Sequence, residues 1–262
     1  MQQDYKTLII YVLTLFVVVL LIVLKKQQDH LSDLENGVLP EEEIEIVLDS
    51  LEKEEPIKED PKDNIVPPMR GVIALIIDDF GYRNDHISNG FLELPGNLTY
   101  AIIPGHDYSQ SFSKKAYDAG YEIVVHMPME NIGKTYGEEE YVLMSYFQED
   151  EIKERINKSF SHLPEAVGLN NHQGSRGTAD VRIMTILAHE IKANKKFFVD
   201  SRTTRNSVAE STMRKYGVPT NKRDIFLDND LDEEKIRTQM LKLADVAERK
   251  GIAIGIGHVK PQ

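Results

Sequence analysis

The sequence predicts an α/β fold on a largely parallel sheet, carried behind an N-terminal apolar span and an acidic linker. Three observations lead there. From Gly71 onward, short apolar runs alternate with amphipathic stretches, the pattern of successive βα units. The first of these runs, Ile73-Ala74-Leu75-Ile76-Ile77, is unbroken and ends in Asp78-Asp79-Phe80-Gly81. An apolar run this short reads as a strand covered on both faces. Residues 7–24 carry no charge at all. Seven such strands fit either an irregular barrel or an open doubly wound sheet, and periodicity alone does not choose.

In chain order, residues 1–26 read as a membrane anchor. Eighteen helical residues, 7–24, reach about 27 Å, close to the hydrocarbon thickness of a bilayer. A cleaved signal peptide is the alternative, but Lys25-Lys26-Gln27-Gln28 follows where a small-residue cleavage site belongs. Lys6 precedes the span and two lysines follow it, so the positive-inside count alone turns the large domain toward the cytoplasm. Residues 27–68 form an acidic linker with five prolines and no aromatic residue. Such a segment buries too little apolar surface to offset its ordering entropy. Only Pro40–Leu51 has helical spacing, through Ile44, Val47, Leu48 and Leu51.

The domain then runs from 69 to 262. Strands are predicted at 72–77, 98–103, 122–126, 166–169, 196–200, 224–228 and 252–256, with helices near 108–119, 148–160, 179–194, 204–216 and 232–249. The last helix is the clearest. Asp230 or Asp232 can cap it, and Ile236, Met240, Leu243, Ala244 and Ala247 form its apolar stripe.

Composition narrows the function classes. The chain has 262 residues with no Cys and no Trp, which excludes a disulfide scaffold and Cys-ligated zinc. The formal charge of −12 is concentrated in residues 27–64, where 14 Asp/Glu face three Lys. The rest of the chain is left at −1, with no basic footprint for nucleic acid.

The chemistry collects where strands end. In parallel βα folds these exits share one face. Here they supply Asp78-Asp79, His126 with Glu130, Asn170-Asn171-His172 with Arg176, Asp200 with Arg202, and finally His258. Each residue has a plain structural role available, as a cap, a turn or a pairing partner. Their convergence on one face is more specific than any one of them. His106 follows the second strand and is the other histidine within reach. Adjacent carboxylates at a strand mouth call for a neighbouring cation. Asp and His donors suit zinc, or Mn, Co or Ni, and three protein ligands leave a position open. A second carboxylate can then serve as general base and a histidine across the site as general acid, which suits hydrolysis of an amide or ester.

The motifs Ile-Ile-Asp-Asp-Phe-Gly, His-Met-Pro-Met-Glu, Asn-Asn-His-Gln-Gly-Ser, Val-Asp-Ser-Arg-Thr and Ile-Gly-Ile-Gly-His resemble, in that order over residues 71–259, those of the divergent polysaccharide deacetylases, relatives of the NodB-type carbohydrate esterases. The resemblance implies a distorted seven-stranded (β/α) barrel of the glycoside hydrolase/deacetylase type. It implies a bound divalent metal, with zinc the first choice, and a polysaccharide or peptidoglycan-type glycan as substrate. It implies a location in the bacterial cell envelope with the domain outside the cytoplasm, against the lysine count, and the apolar span 7–24 then makes this a single-pass membrane protein. It makes Asp78 the base, Asp79 a metal ligand and His258 the general acid. The family's second motif has two His four residues apart; here His126 is followed by Glu130, so the third ligand is His172, with Glu130 as the alternative. Glu130, Asn171, Arg176, Asp200 and Arg202 then orient these groups or touch substrate, with Arg176 or Arg202 replacing the family's arginine. Relatives continue into a further helix after the position of His258, which makes this C-terminus a shortened one. A barrel that has lost catalysis and only binds a glycan or an envelope partner is the competing expectation.

Overall fold

Strand β1 (Val72–Phe80) lies inside the sheet, with β2 (Leu98–Ile102) on one side and β8 (Ile252–His258) on the other. The computed structural model describes residues 70–135 and 137–260. The remaining strands are β3 (Glu122–Met129), β4 (Gly168–Gln173), β5 (Phe197–Asp200), β6 (Thr220–Lys222) and β7 (Ile225–Phe226). Between them run α1 (His86–Gly90), α2 (Ser109–Asp118), α3 (Glu149–His162), α4 (Val181–Ala193), α5 (Ala209–Tyr216) and α6 (Glu233–Lys250). All pairings are parallel, in the order β6-β5-β4-β3-β2-β1-β8-β7.

This corrects the expected seven-stranded barrel to a half-barrel of eight parallel strands. The sixth predicted strand, 224–228, is the reason. The chain from 220 to 226 forms two short strands on opposite edges, β6 beside β5 and β7 beside β8. Arg223 and Asp224 cross between them, the first donating its N–H to Asp200 O and the second to Ile254 O. No ladder joins β6 to β7. Strands of two or three residues leave no periodicity to read.

The helices form for local reasons and cover the sheet with apolar faces. Asp180 caps α4 by accepting from the N–H groups of Arg182 and Ile183, and Ile183, Met184, Leu187 and Ile191 are buried beneath it. Asp232, not Asp230, caps α6. Leu243 and Ala247 are its buried residues, while Ala244 of the predicted stripe is exposed. Phe80 stacks on Phe112 of α2 at 4.2 Å between ring centres, in the same buried cluster as the α4 residues.

The expected single-pass membrane protein is also corrected. No helix among the described residues is long and apolar enough to cross a membrane. The longest, α6, has 18 residues but carries charged groups along its length. The apolar stretch 7–24, which raised the expectation of a membrane anchor, and the acidic linker 27–68 lie outside the described residues.

After β1 the chain turns at Gly81, where φ is +120°. A Cβ there would lie 2.9 Å from Ile103 O and 2.7 Å from Ser109 Oγ. Ser109 Oγ in turn donates to Ile103 O at 2.6 Å. Gly81→Ala is therefore expected to cost about 1–3 kcal/mol. Scanning calorimetry should read this as a fall of roughly 2–4 °C in Tm for each kcal/mol lost.

Candidate functional site

Two neighbouring residues of a regular strand point to opposite faces. Asp78 and Asp79 do not. The register between β1 and β2 slips between Ile77 and Phe80, and Asp79 adopts φ +71°. Asp78 stays in the ladder opposite His258 of β8. Both carboxylates then reach one imidazole. His126 Nε2 lies 3.6 Å from Asp78 Oδ2 and 3.4 Å from Asp79 Oδ1.

The two acids have different surroundings. Asp78 is buried, and burial pushes its carboxyl above the ordinary range against the pull of His126, Asn170 and His258. Its Oδ1 accepts from Asn170 Nδ2 at 2.8 Å, which leaves Oδ2 toward His126. Burial pushes Asp79 up as well, but His126 and His172 outweigh it and hold this carboxyl well below the usual range. His126 is buried, which lowers its affinity for a proton, yet Asp78 and Asp79 overcome this and raise it to about 8.

His172 follows in β4, with Nδ1 3.1 Å from Asp79 Oδ1. Asp79, His126 and His172 place one donor atom each within 4.8 Å of one another. Asp79 Oδ1 is buried, and neither imidazole meets it with hydrogen-bond geometry. A buried carboxylate oxygen without a hydrogen-bond donor, facing two ring nitrogens, is what a divalent cation would satisfy. The Asp-His-His set therefore fits the metal that the sequence motifs imply, with no preference among first-row ions.

The other expected residues divide. Glu130 is turned away from the donor set: Oε2 accepts from the Ser145 N–H at 2.6 Å, and Oε1 lies 3.4 Å from Arg176 Nε. Asn171 braces neighbouring strands, donating to Gln173 O and accepting from the Ser201 N–H. Asp200 is buried and accepts from the Arg202 N–H and the Ser207 hydroxyl, which shapes the exit of β5. Arg202 sits there with φ +53°. His106 is engaged elsewhere, 3.0 Å from Glu138 Oε1.

His258 turns Nε2 inward, 4.0 Å from Asp79 Oδ2. Its Nδ1 lies 3.0 Å from Asp228 Oδ1, and its backbone N–H donates to Asp228 Oδ2 at 3.0 Å. The sequence reading missed Asp228, although the apolar run Ile225-Phe226-Leu227 ends on it. Asn170 stands among the strand-exit residues of the sequence, with a turn as its plain structural role and no chemical role assigned. In the fold it joins Asp78 to His126, with Oδ1 2.8 Å from His126 Nδ1.

A parallel α/β half-barrel with acids and imidazoles gathered at its strand exits has the architecture of a domain whose site lies at the carboxyl ends of its strands. Residues 75–262 match the divergent polysaccharide deacetylase family, and the chain belongs to that family. It is 34% identical over 195 residues to the uncharacterized protein YibQ of Escherichia coli (strain K12), a match over 74% of this chain and 60% of that one. It is also 34% identical over 191 residues to an uncharacterized protein of Haemophilus influenzae (strain ATCC 51907 / DSM 11121 / KW20 / Rd), a match over 72% of this chain and 67% of that one. The chain thus spans about two thirds or less of these relatives. The crystal structure of uncharacterized protein ATU2773 from Agrobacterium tumefaciens C58 superposes with a TM-score of 0.69 at 21% identity, over 74% of this chain and 80% of that one, a likeness of fold.

The third donor can be tested directly. Glu130→Gln is expected to bind Zn²⁺ like the parent, and His172→Ala at least about tenfold more weakly. Isothermal titration calorimetry on both variants checks this, and the reverse ranking would make Glu130 the ligand.

Proposed function

We propose that the domain is a metal-dependent hydrolase that removes acetyl groups from an N-acetylated polysaccharide of the chitin or peptidoglycan kind. One observation carries the reading. Two adjacent carboxylates share His126, yet burial raises the proton affinity of Asp78 while the imidazoles lower that of Asp79. Environments that push paired acids apart assign them different work. Membership of the deacetylase family supports the substrate class.

Asp79, His126 and His172 would hold the cation. When bound, it supplies a Lewis acid that polarises a carbonyl and lowers the pKa of water. The chain's own residues do the rest. Asp78 is the general base: with Oδ1 tied to Asn170, Oδ2 is the oxygen free to take a proton from the attacking water. Its raised proton affinity makes it a stronger base than an exposed carboxylate. Asn170 keeps the base and His126 at a fixed separation, since one amide bonds both. Asp228 accepts from Nδ1 of His258, which directs Nε2 into the site. His258 Nε2 delivers a proton to the amine as the carbon–nitrogen bond breaks. The products are acetate and a free amino sugar.

Acetate release from chitooligosaccharide and peptidoglycan fragments tests this. The parent should be active with a divalent ion, silent after chelation and active again on readdition. Asp78→Asn should lower kcat by about 10²–10⁴-fold without a change in melting temperature. A folded, ion-loaded parent that releases no acetate from either substrate would sink the proposal.

A further inference from the structure

His126 and His172 each turn one ring nitrogen toward Asp79 Oδ1, at 3.4 Å through Nε2 and at 3.1 Å through Nδ1. What the opposite nitrogen meets decides which of the two carries hydrogen in the neutral ring. For His126 that partner is Asn170 Oδ1, 2.8 Å from Nδ1. The amide cannot be reversed, because its Nδ2 already donates to Asp78 Oδ1 at 2.8 Å. Nδ1 of His126 therefore carries the hydrogen, and Nε2 offers its lone pair to the donor set.

His172 is the opposite case. Its Nε2 lies 3.1 Å from Gln173 Nε2. The orientation of Gln173 is fixed from behind. Its Oε1 accepts from Asn131 Nδ2 at 2.5 Å. Asn131 in turn is fixed by the backbone, since its Oδ1 accepts from the N–H groups of Gly174 at 3.2 Å and Ser175 at 3.3 Å. Backbone N–H groups only donate, so Asn131 cannot flip, and neither can Gln173. An amide NH₂ is left facing His172 Nε2. That nitrogen must accept, and the ring hydrogen then resides on Nδ1, the atom that faces Asp79.

We propose that Asn131 and Gln173 lock His172 in the Nδ1–H tautomer, and that Gln173 thereby restrains cation binding at Asp79, His126 and His172. The tautomer follows from the hydrogen bonds alone; its effect on a cation rests on the metal-centre reading above. Coordination needs the Nδ1 lone pair. The ring hydrogen moves to Nε2, where it meets the amide hydrogens of Gln173, and that contact is lost. No proton leaves the ring. His126 is thus preset for a cation and His172 is set against it. Gln173 is a positioning residue: it meets His172 at Nε2 and touches none of the atoms that face Asp79 Oδ1.

Long-range ¹H–¹⁵N correlation spectra of the full chain, histidine-labelled and free of metal, read the tautomer without reference to activity. At a pH where the ring is neutral, His172 is expected as Nδ1–H in the parent. In Gln173→Glu it is expected as Nε2–H, donating to the new carboxylate, while His126 keeps its pattern. Zn²⁺ affinity, read against a chromophoric chelator, should rise about tenfold or more in Gln173→Glu. It should also rise in Gln173→Met, which adds no charge and so excludes simple Coulomb attraction as the cause. An Nε2–H ring in the parent, or a folded Gln173→Met that binds no tighter, would overturn the proposal. The expected tautomers with no Zn²⁺ binding by the parent or either variant would overturn the restraint together with the metal-centre reading, and leave only the lock.

Discussion

The site depends on one backbone distortion. Asp79 leaves the β1 ladder with φ +71° while Asp78 stays in register with His258. Without that slip, the two carboxylates would stand on opposite faces of the sheet and His126 would meet one of them. With it, one imidazole lies within 3.6 Å of both. A non-glycine residue with positive φ costs on the order of 1–3 kcal/mol, and such strain persists where surrounding structure determines it. Here the flanking residues are held on both sides, Asp78 by β8 and Phe80 by its stacking on Phe112.

From that start the surrounding amides and acids orient the reactive groups. Asn170 ties Asp78 to His126, Asp228 aims His258, and Asn131 with Gln173 sets His172. In each case the orienting group is itself fixed by an acceptor-only carboxylate or a donor-only backbone amide. Orientation thus passes outward to the strands. The half-barrel contributes by bringing the exits of β1, β3, β4 and β8 to one end. Burial then separates the two acids, pushing Asp78 up while the imidazoles hold Asp79 down.

Much of this was legible in the sequence, for a physical reason. Parallel strands must be apolar along their length, so a polar or charged residue at a strand exit stands out against its run. Asp78, Asp79, His126, His172 and His258 all carry that signal, as do the strands themselves. Asp228 carried it too, at the end of Ile225-Phe226-Leu227. The split of 220–226 between two edges was not legible, because neither piece is long enough to show a period. Nor was the division of labour among the polar residues. Asn170 and Asn171 are identical neighbours, yet one bonds the two reactive groups and the other braces the strands, a difference set by the alternation of faces along β4. Glu130 lies near His126 in sequence but is engaged by the Ser145 N–H across a loop. Long-range pairing of that kind leaves no trace in local spacing.

The parallel ladder between β1 and β8 joins Val72 to Ile252 and Asp78 to His258, the first strand of the domain to its last. Closing so long a loop is entropically late in folding, because ordering the chain between precedes the contacts that reward it. A nascent chain emerging from the ribosome can build β1 to β5 and their helices in sequence. It cannot complete the flank of β1 on which His258 stands until the final strand is made. The same ladder that positions the reactive groups therefore leaves them incomplete until every other described strand has been made.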